Sequence, residues 1–109
     1  MAFGGRKYKR STLSRGLMIT TIVLIRCTPQ ATPQAAIRLA GIEGVSEVYS
    51  VSGEWDLVAI VKVSEYEQIA RVVTEEFPLV SGIERTQTLT AFRAYSKKDS
   101  EQAWDVGAE

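Results

Sequence analysis

Apolar residues at consecutive positions mark residues 19–27, Ile-Thr-Thr-Ile-Val-Leu-Ile-Arg-Cys, as a strand buried on both faces. Thr32 and Pro33 then supply an N-cap and a first helical residue for a short helix through Ala35, Ala36, Ile37 and Leu39, ending near Gly41. Residues 44–51 alternate polar and apolar side chains, which predicts a half-exposed second strand. Ser52, Gly53 and Glu54 provide a turn, and residues 55–63 read as a third strand, again apolar on both faces, so that the two strands form a hairpin. Ser64 and Glu67 have capping-box spacing, and Tyr66, Ile69, Ala70, Val73 and Phe77 fall on one helical stripe that Pro78 ends. Residues 82–95 predict a long fourth strand, with Thr86, Thr88 and Thr90 on one face and Gln87, Leu89 and Ala91 on the other. Ser96, with Asp99 three positions on, predicts a last short helix carrying Trp104 and a frayed tail.

The order β-α-β-β-α-β is a split βαβ arrangement, so the predicted fold is α+β and ferredoxin-like with a four-stranded antiparallel sheet. A weak internal repeat agrees with it, since Gly44-Val45 follows the first helix as Gly82-Ile83 follows the second. Two helices cover only one face of such a sheet, yet the first and third strands are apolar on both. A second copy's sheet on the other face covers it economically, which predicts a two-fold homodimer of the dimeric α/β barrel type.

Size and charge narrow the reading further. A chain of 109 residues is one domain by default and buries about two thirds of its unfolded surface, so a bare sheet face would be a serious loss. The 13 basic and 13 acidic residues are unevenly placed. Residues 1–17 carry Arg6, Lys7, Lys9, Arg10 and Arg15 and no acid; the rest holds 8 basic and 13 acidic residues, a net of −5 that repels phosphates. Sequence-specific DNA binding by the folded part is therefore not expected. Residues 1–17 read as a disordered basic arm, a tag remnant or an extension ahead of a natural start at Met18, dispensable for folding. The domain then spans residues 18–96, and residues 97–109 hold the short helix and tail. A lone cysteine, Cys27, within an apolar run is a small buried hydrophobe, which with the absence of a membrane span or secretory signal suggests a cytoplasmic setting.

Most enzyme chemistry lacks its residues here. There is no histidine, which removes the usual general base, the Ser-His and Cys-His pairs and the commonest zinc ligand. The acids form no loop of alternating oxygen ligands, and neither Gly4-Gly5 nor residues 41–44 have the spacing of a phosphate loop. No cofactor or metal is expected. A cofactor-free enzyme of the dimeric barrel type remains the alternative, using Trp55, Asp56, Arg93 and Tyr95 around a cavity under the sheet.

The hairpin Ser52-Gly53-Glu54-Trp55-Asp56 is the densest cluster of candidate chemistry. Its plain reading is a turn with a positive φ at Gly53, a solvated Asp56 and Trp55 packed on an edge. Its functional reading is a set of loop N–H groups and a carboxylate facing a ligand that carries an anion and a cation on one carbon, as an α-amino acid does. The threonine row of the fourth strand, placed beside it, would add hydroxyls.

Residues 44–58 (Gly-Val-Ser-Glu-Val-Tyr-Ser-Val-Ser-Gly-Glu-Trp-Asp-Leu-Val), residues 77–83 (Phe-Pro-Leu-Val-Ser-Gly-Ile) and Thr86-Gln87-Thr88 together resemble the effector-binding half of the Lrp/AsnC transcription regulators, also called the RAM domain. The resemblance covers residues 18–96. It implies a ferredoxin-like module that dimerises through its sheets and assembles into rings holding amino-acid effectors between dimers. It also implies a site lined by Ser52, Gly53, Glu54, Trp55 and Asp56 with Thr88, Leu89 and Thr90. Regulators of this family begin with a helix-turn-helix domain, whereas only residues 1–17 precede the domain here, so the expectation is a stand-alone effector domain. Its expected role is amino-acid sensing in the transcriptional regulation of amino-acid metabolism, alone or in mixed assembly with a full-length regulator.

Overall fold

The computed structural model describes residues 18–97. Four strands, β1 (Ile19–Cys27), β2 (Val45–Ser50), β3 (Leu57–Val63) and β4 (Ile83–Thr90), form one sheet in the order β2-β3-β1-β4. All three pairings are antiparallel, and the β-α-β-β-α-β order is the ferredoxin-like one read from the sequence. The predicted last helix after Ser96 falls almost wholly outside the described residues.

Helix α1 (Thr32–Ala40) follows a 3₁₀ turn, Pro29–Ala31. Its cap position is Ala31 rather than the predicted Thr32, whose hydroxyl instead donates back to the Thr28 carbonyl at 3.3 Å. The second helix, α2 (Tyr66–Ala70), continues into a π-helical segment, Arg71–Glu76, and a 3₁₀ turn, Phe77–Leu79. Its capping box is Glu65 with Gln68, one residue later than the predicted Ser64 with Glu67. Gln68 carries a side-chain oxygen that accepts from the backbone N–H groups of both Ser64 and Glu65, which Glu67 does not do. Ile69, Val73 and Phe77 of the predicted stripe pack on the core, the π segment adds Val72 to the buried side, and Tyr66 stays exposed.

Alternation along β1 and β3 sorts two faces. Val23, Ile25 and Cys27 of β1 and Leu57, Ala59, Val61 and Val63 of β3 are buried against Ala35, Leu39, Val72, Phe77 and Val80 of the helical layer. The opposite face carries Ile22 and Leu24 opposite Ile60 and Val58, with Leu89 of β4 opposite Ile22. Among the described residues no helix or strand covers these side chains; the first four are half-buried and Leu89 is 40% exposed. Both faces of β1 and β3 are therefore apolar, as the sequence indicated.

The fourth strand ends earlier than predicted, at Thr90 rather than Tyr95. Its last rung is the bond from the Ala91 N–H to the Thr20 carbonyl at 2.9 Å, because β1 begins at Ile19 and offers nothing further to pair. Phe92 and Tyr95 beyond it are 96% and 80% exposed. Strands β2 and β3 are also shorter than predicted, and Trp55 and Asp56 belong to the loop before β3. Among the described residues no helix is long and apolar enough to cross a membrane.

Candidate functional site

The β2–β3 loop closes over the end of the sheet where β1 finishes and β4 begins. Gly53 takes φ +112, a left-handed conformation that turns the chain there without a side-chain clash, since a Cβ would meet nothing within 4 Å. Asp56 then anchors the loop by three bonds. Its N–H donates to the Ile25 carbonyl at 2.9 Å, its carbonyl accepts from the Val51 N–H at 3.0 Å, and its Oδ2 accepts from the Cys27 N–H at 2.8 Å. The carboxylate is thus partly spent on holding the end of β1, a structural task the sequence reading gave to no residue. Among the described residues its Oδ1 takes no hydrogen bond.

Between those anchors, the N–H groups of Ser52, Gly53, Glu54 and Trp55 make no hydrogen bond among the described residues. Trp55 is half-buried, with the guanidinium carbons of Arg26 and Arg85 lying 5.7 and 5.3 Å from its ring centroid. Arg26 also donates to the Glu54 carbonyl at 2.6 Å, and its second approach, 3.8 Å to the Glu54 carboxylate, is a weak exposed ion pair. The loop therefore presents four donors, two guanidiniums, an indole face and a carboxylate edge within one small region.

Arg26 and Arg85 were not singled out from the sequence. They converge because β1 and β4 pair with Arg26 directly opposite Arg85, beside a bulge at Arg26/Cys27 where the register slips by one residue on β4. An arginine near the end of an otherwise apolar strand was the visible signal.

The threonine row runs along β4 away from the hairpin, starting at Thr86 beside Arg85. Thr88 and Thr90 pair with Val23 and Thr21 on the helix-covered side, where β4 as an edge strand leaves them exposed, while Leu89 points to the open side. Arg85 marks the level of the hairpin on β4, so Thr88 and Thr90 lie three and five residues away, about 10–17 Å along the strand. Within one subunit Thr86 thus stands beside Arg85 at the hairpin level, whereas Thr88 and Thr90 lie farther along the strand. The alternative catalytic quartet is dispersed too: Trp55 and Asp56 lie at the Arg26 end, whereas Arg93 and Tyr95 follow Ala91 at the opposite end.

Burial pushes the Cys27 thiol above its ordinary value, with the Asp56 and Glu84 carboxylates adding to the effect and a hydrogen bond with Thr32 opposing it. Cys27 is accordingly a protonated, buried packing residue.

Comparison with known proteins gives this geometry a family. The Lrp/AsnC ligand-binding domain model matches residues 20–101. An uncharacterised HTH-type transcriptional regulator of Pyrococcus abyssi is 36% identical over 76 residues, 67% of this chain and 51% of that protein. The chain thus spans about half the length of the curated relatives it matches. A Thermus thermophilus protein of known structure is similar at 43% identity and TM-score 0.69, over 72% of this chain and 99% of that one. The feast or famine regulatory protein of Mycobacterium tuberculosis, solved with L-methionine, is 25% identical with TM-score 0.63, over 80% of this chain and 59% of that one. The chain belongs to the Lrp/AsnC ligand-binding domain family.

Proposed function

We propose that this chain is an amino-acid-sensing domain in transcriptional regulation, not an enzyme, and that it works as a homodimer assembled further into an oligomer of dimers. The carrying observation is the hairpin itself, where four N–H groups without a hydrogen bond among the described residues precede the Asp56 carboxylate in one short loop. An α-amino acid matches such a site, with its carboxylate on the N–H groups and its ammonium on Asp56. Gly53 lets the backbone approach closely and Trp55 closes the apolar side. In this reading Thr88, Leu89 and Thr90 come from another subunit, which suits their position three to five residues along β4 from Arg85. The L-methionine bound by the M. tuberculosis relative supports an amino acid as the ligand class. Mixed assembly with a full-length regulator is part of the same reading, since the relatives are regulators.

The dimer rests on the uncovered side of the sheet, where Ile22, Leu24, Val58 and Ile60 form a contiguous apolar centre flanked by charged side chains at both ends. A second copy of the same face is its natural cover.

Asp56 separates the ligand reading from the structural one. Asp56→Asn keeps an oxygen acceptor for the Cys27 N–H but removes the charge, so amino-acid affinity should fall at least about tenfold while the melting temperature changes little. Asp56→Ala should lose affinity and also stability, by about 1–3 kcal/mol, because the buried N–H loses its partner. Titration calorimetry and thermal melts on the three proteins give both readouts. Unchanged affinity in Asp56→Asn would remove the ammonium from this carboxylate.

A further inference from the structure

Arg26 and Arg85 oppose each other directly across β1 and β4, and like charges at such positions repel. Arg26 has partial compensation from Glu54. Among the described residues no carboxylate lies within ion-pair distance of Arg85, whose contact is the Trp55 face. Stacking on an indole leaves the in-plane N–H groups of a guanidinium free, and those groups match a carboxylate bidentately. Arg26 contributes a further uncompensated donor, its Nε, which is buried without a hydrogen-bond partner. Repulsion between the two cations, the unpaired Arg85 fork and the orphaned Arg26 donor share one remedy, a carboxylate placed between the guanidiniums.

We infer that the amino acid taken by the hairpin site is an acidic one, its side-chain carboxylate held by Arg85 and Arg26 along the Trp55 ring. This inference rests on the proposed reading of the hairpin as an amino-acid site. The loop N–H groups and Asp56 serve the α-carboxylate and ammonium, which every amino acid has, and therefore do not discriminate. Discrimination falls to the arginine pair. A methionine-like side chain would stack on Trp55 but crowd two cations without neutralising them, and an amide would offer one acceptor and no charge.

Calorimetric titrations of the full chain with L-glutamate, L-aspartate, L-glutamine and L-methionine test it. The expected result is that L-glutamate or L-aspartate binds at least about tenfold more tightly than either neutral amino acid, the difference a charge-assisted bidentate contact supplies. Arg85→Gln, at an exposed position, should remove that preference, and Arg85→Lys should restore part of it by returning the charge without the fork. Tighter binding of L-glutamine or L-methionine than of both acidic amino acids overturns this inference and leaves the sensing reading intact. Absence of binding by any amino acid overturns both. A change of dimer mass in Arg85→Gln with ligand preference unaltered assigns Arg85 to a subunit interface and likewise overturns the inference.

Discussion

Gly82→Ala should be among the most destabilising single-methyl additions in this chain. Gly82 sits at φ +95 just before β4, and a Cβ placed there would lie 2.3 Å from the Cβ of Ala31 and 3.7 Å from its Cα. Ala31 ends the 3₁₀ turn before α1, and its Cβ has no rotamer with which to retreat. The Thr28 N–H donates to the Gly82 carbonyl at 2.9 Å, so the two segments are also tied by backbone and separate only by breaking that bond. A positive φ costs an alanine about 1–2 kcal/mol, and overpacking adds about 1–3 kcal/mol. Together they remove a large part of the roughly 5–15 kcal/mol that holds a domain of this kind. Gly53→Ala is the control. It carries similar backbone strain at φ +112 but meets no atom within 4 Å, so only the smaller cost should appear. Denaturant melts read both, and equal losses in the two variants would mean that the contact with Ala31 is not what requires glycine at position 82.

Leu24→Asp should abolish dimerisation while leaving the subunit folded. Leu24 lies on the central strand β1 between Val58 of β3 and Gln87 of β4, on the side away from both helices. A carboxylate there faces water in a monomer at little cost. In a sheet-to-sheet dimer it is buried without a partner, twice over by symmetry, at a cost of several kcal/mol. A loss of about 4 kcal/mol corresponds to roughly a thousandfold weaker association. Light scattering after size exclusion should then give 12.0 kDa for the variant with a native circular dichroism spectrum, against at least twice that mass for the wild type. Ile37→Asp, on the exposed outer face of α1, should keep the dimer. A wild-type chain that runs as a monomer at micromolar concentration would remove the basis of the proposed site as well, since that site needs two subunits.

The elements that tertiary context left alone were legible in the sequence. β1 was legible at its observed limits because eight of its nine residues are β-branched or apolar, a length and composition that suit a strand buried on both faces. The two-sided apolar character of β1 and β3 was equally plain. What the pattern could not carry was the π segment inside the second helix, which changes the residues per turn and adds Val72 to the buried stripe of Ile69, Val73 and Phe77. The length of β4 was not legible, since residues 91–95 continue the run without a turn signal but lack a neighbour to pair with beyond the Ala91–Thr20 bond. At the site, the glycine turn and its carboxylate were visible as local chemistry. The convergence of Arg26, Arg85 and Trp55 was not, because it depends on the register between strands from opposite ends of the chain. Asp56 shows the same limit: its carboxylate could be assigned to a ligand from sequence, but its bond to the Cys27 N–H required the fold.

The most direct test of the account is a thermal-shift measurement on the wild-type chain with each of the twenty amino acids in turn. Ligand that binds only the folded state at a hundredfold excess over Kd adds about 2.7 kcal/mol of stability, which for a domain of this size raises the melting temperature by roughly 10 °C. Such a rise is expected for at least one amino acid, and its loss in Asp56→Asn. A melting temperature that none of the twenty moves, at millimolar concentration, would contradict amino-acid sensing by this domain.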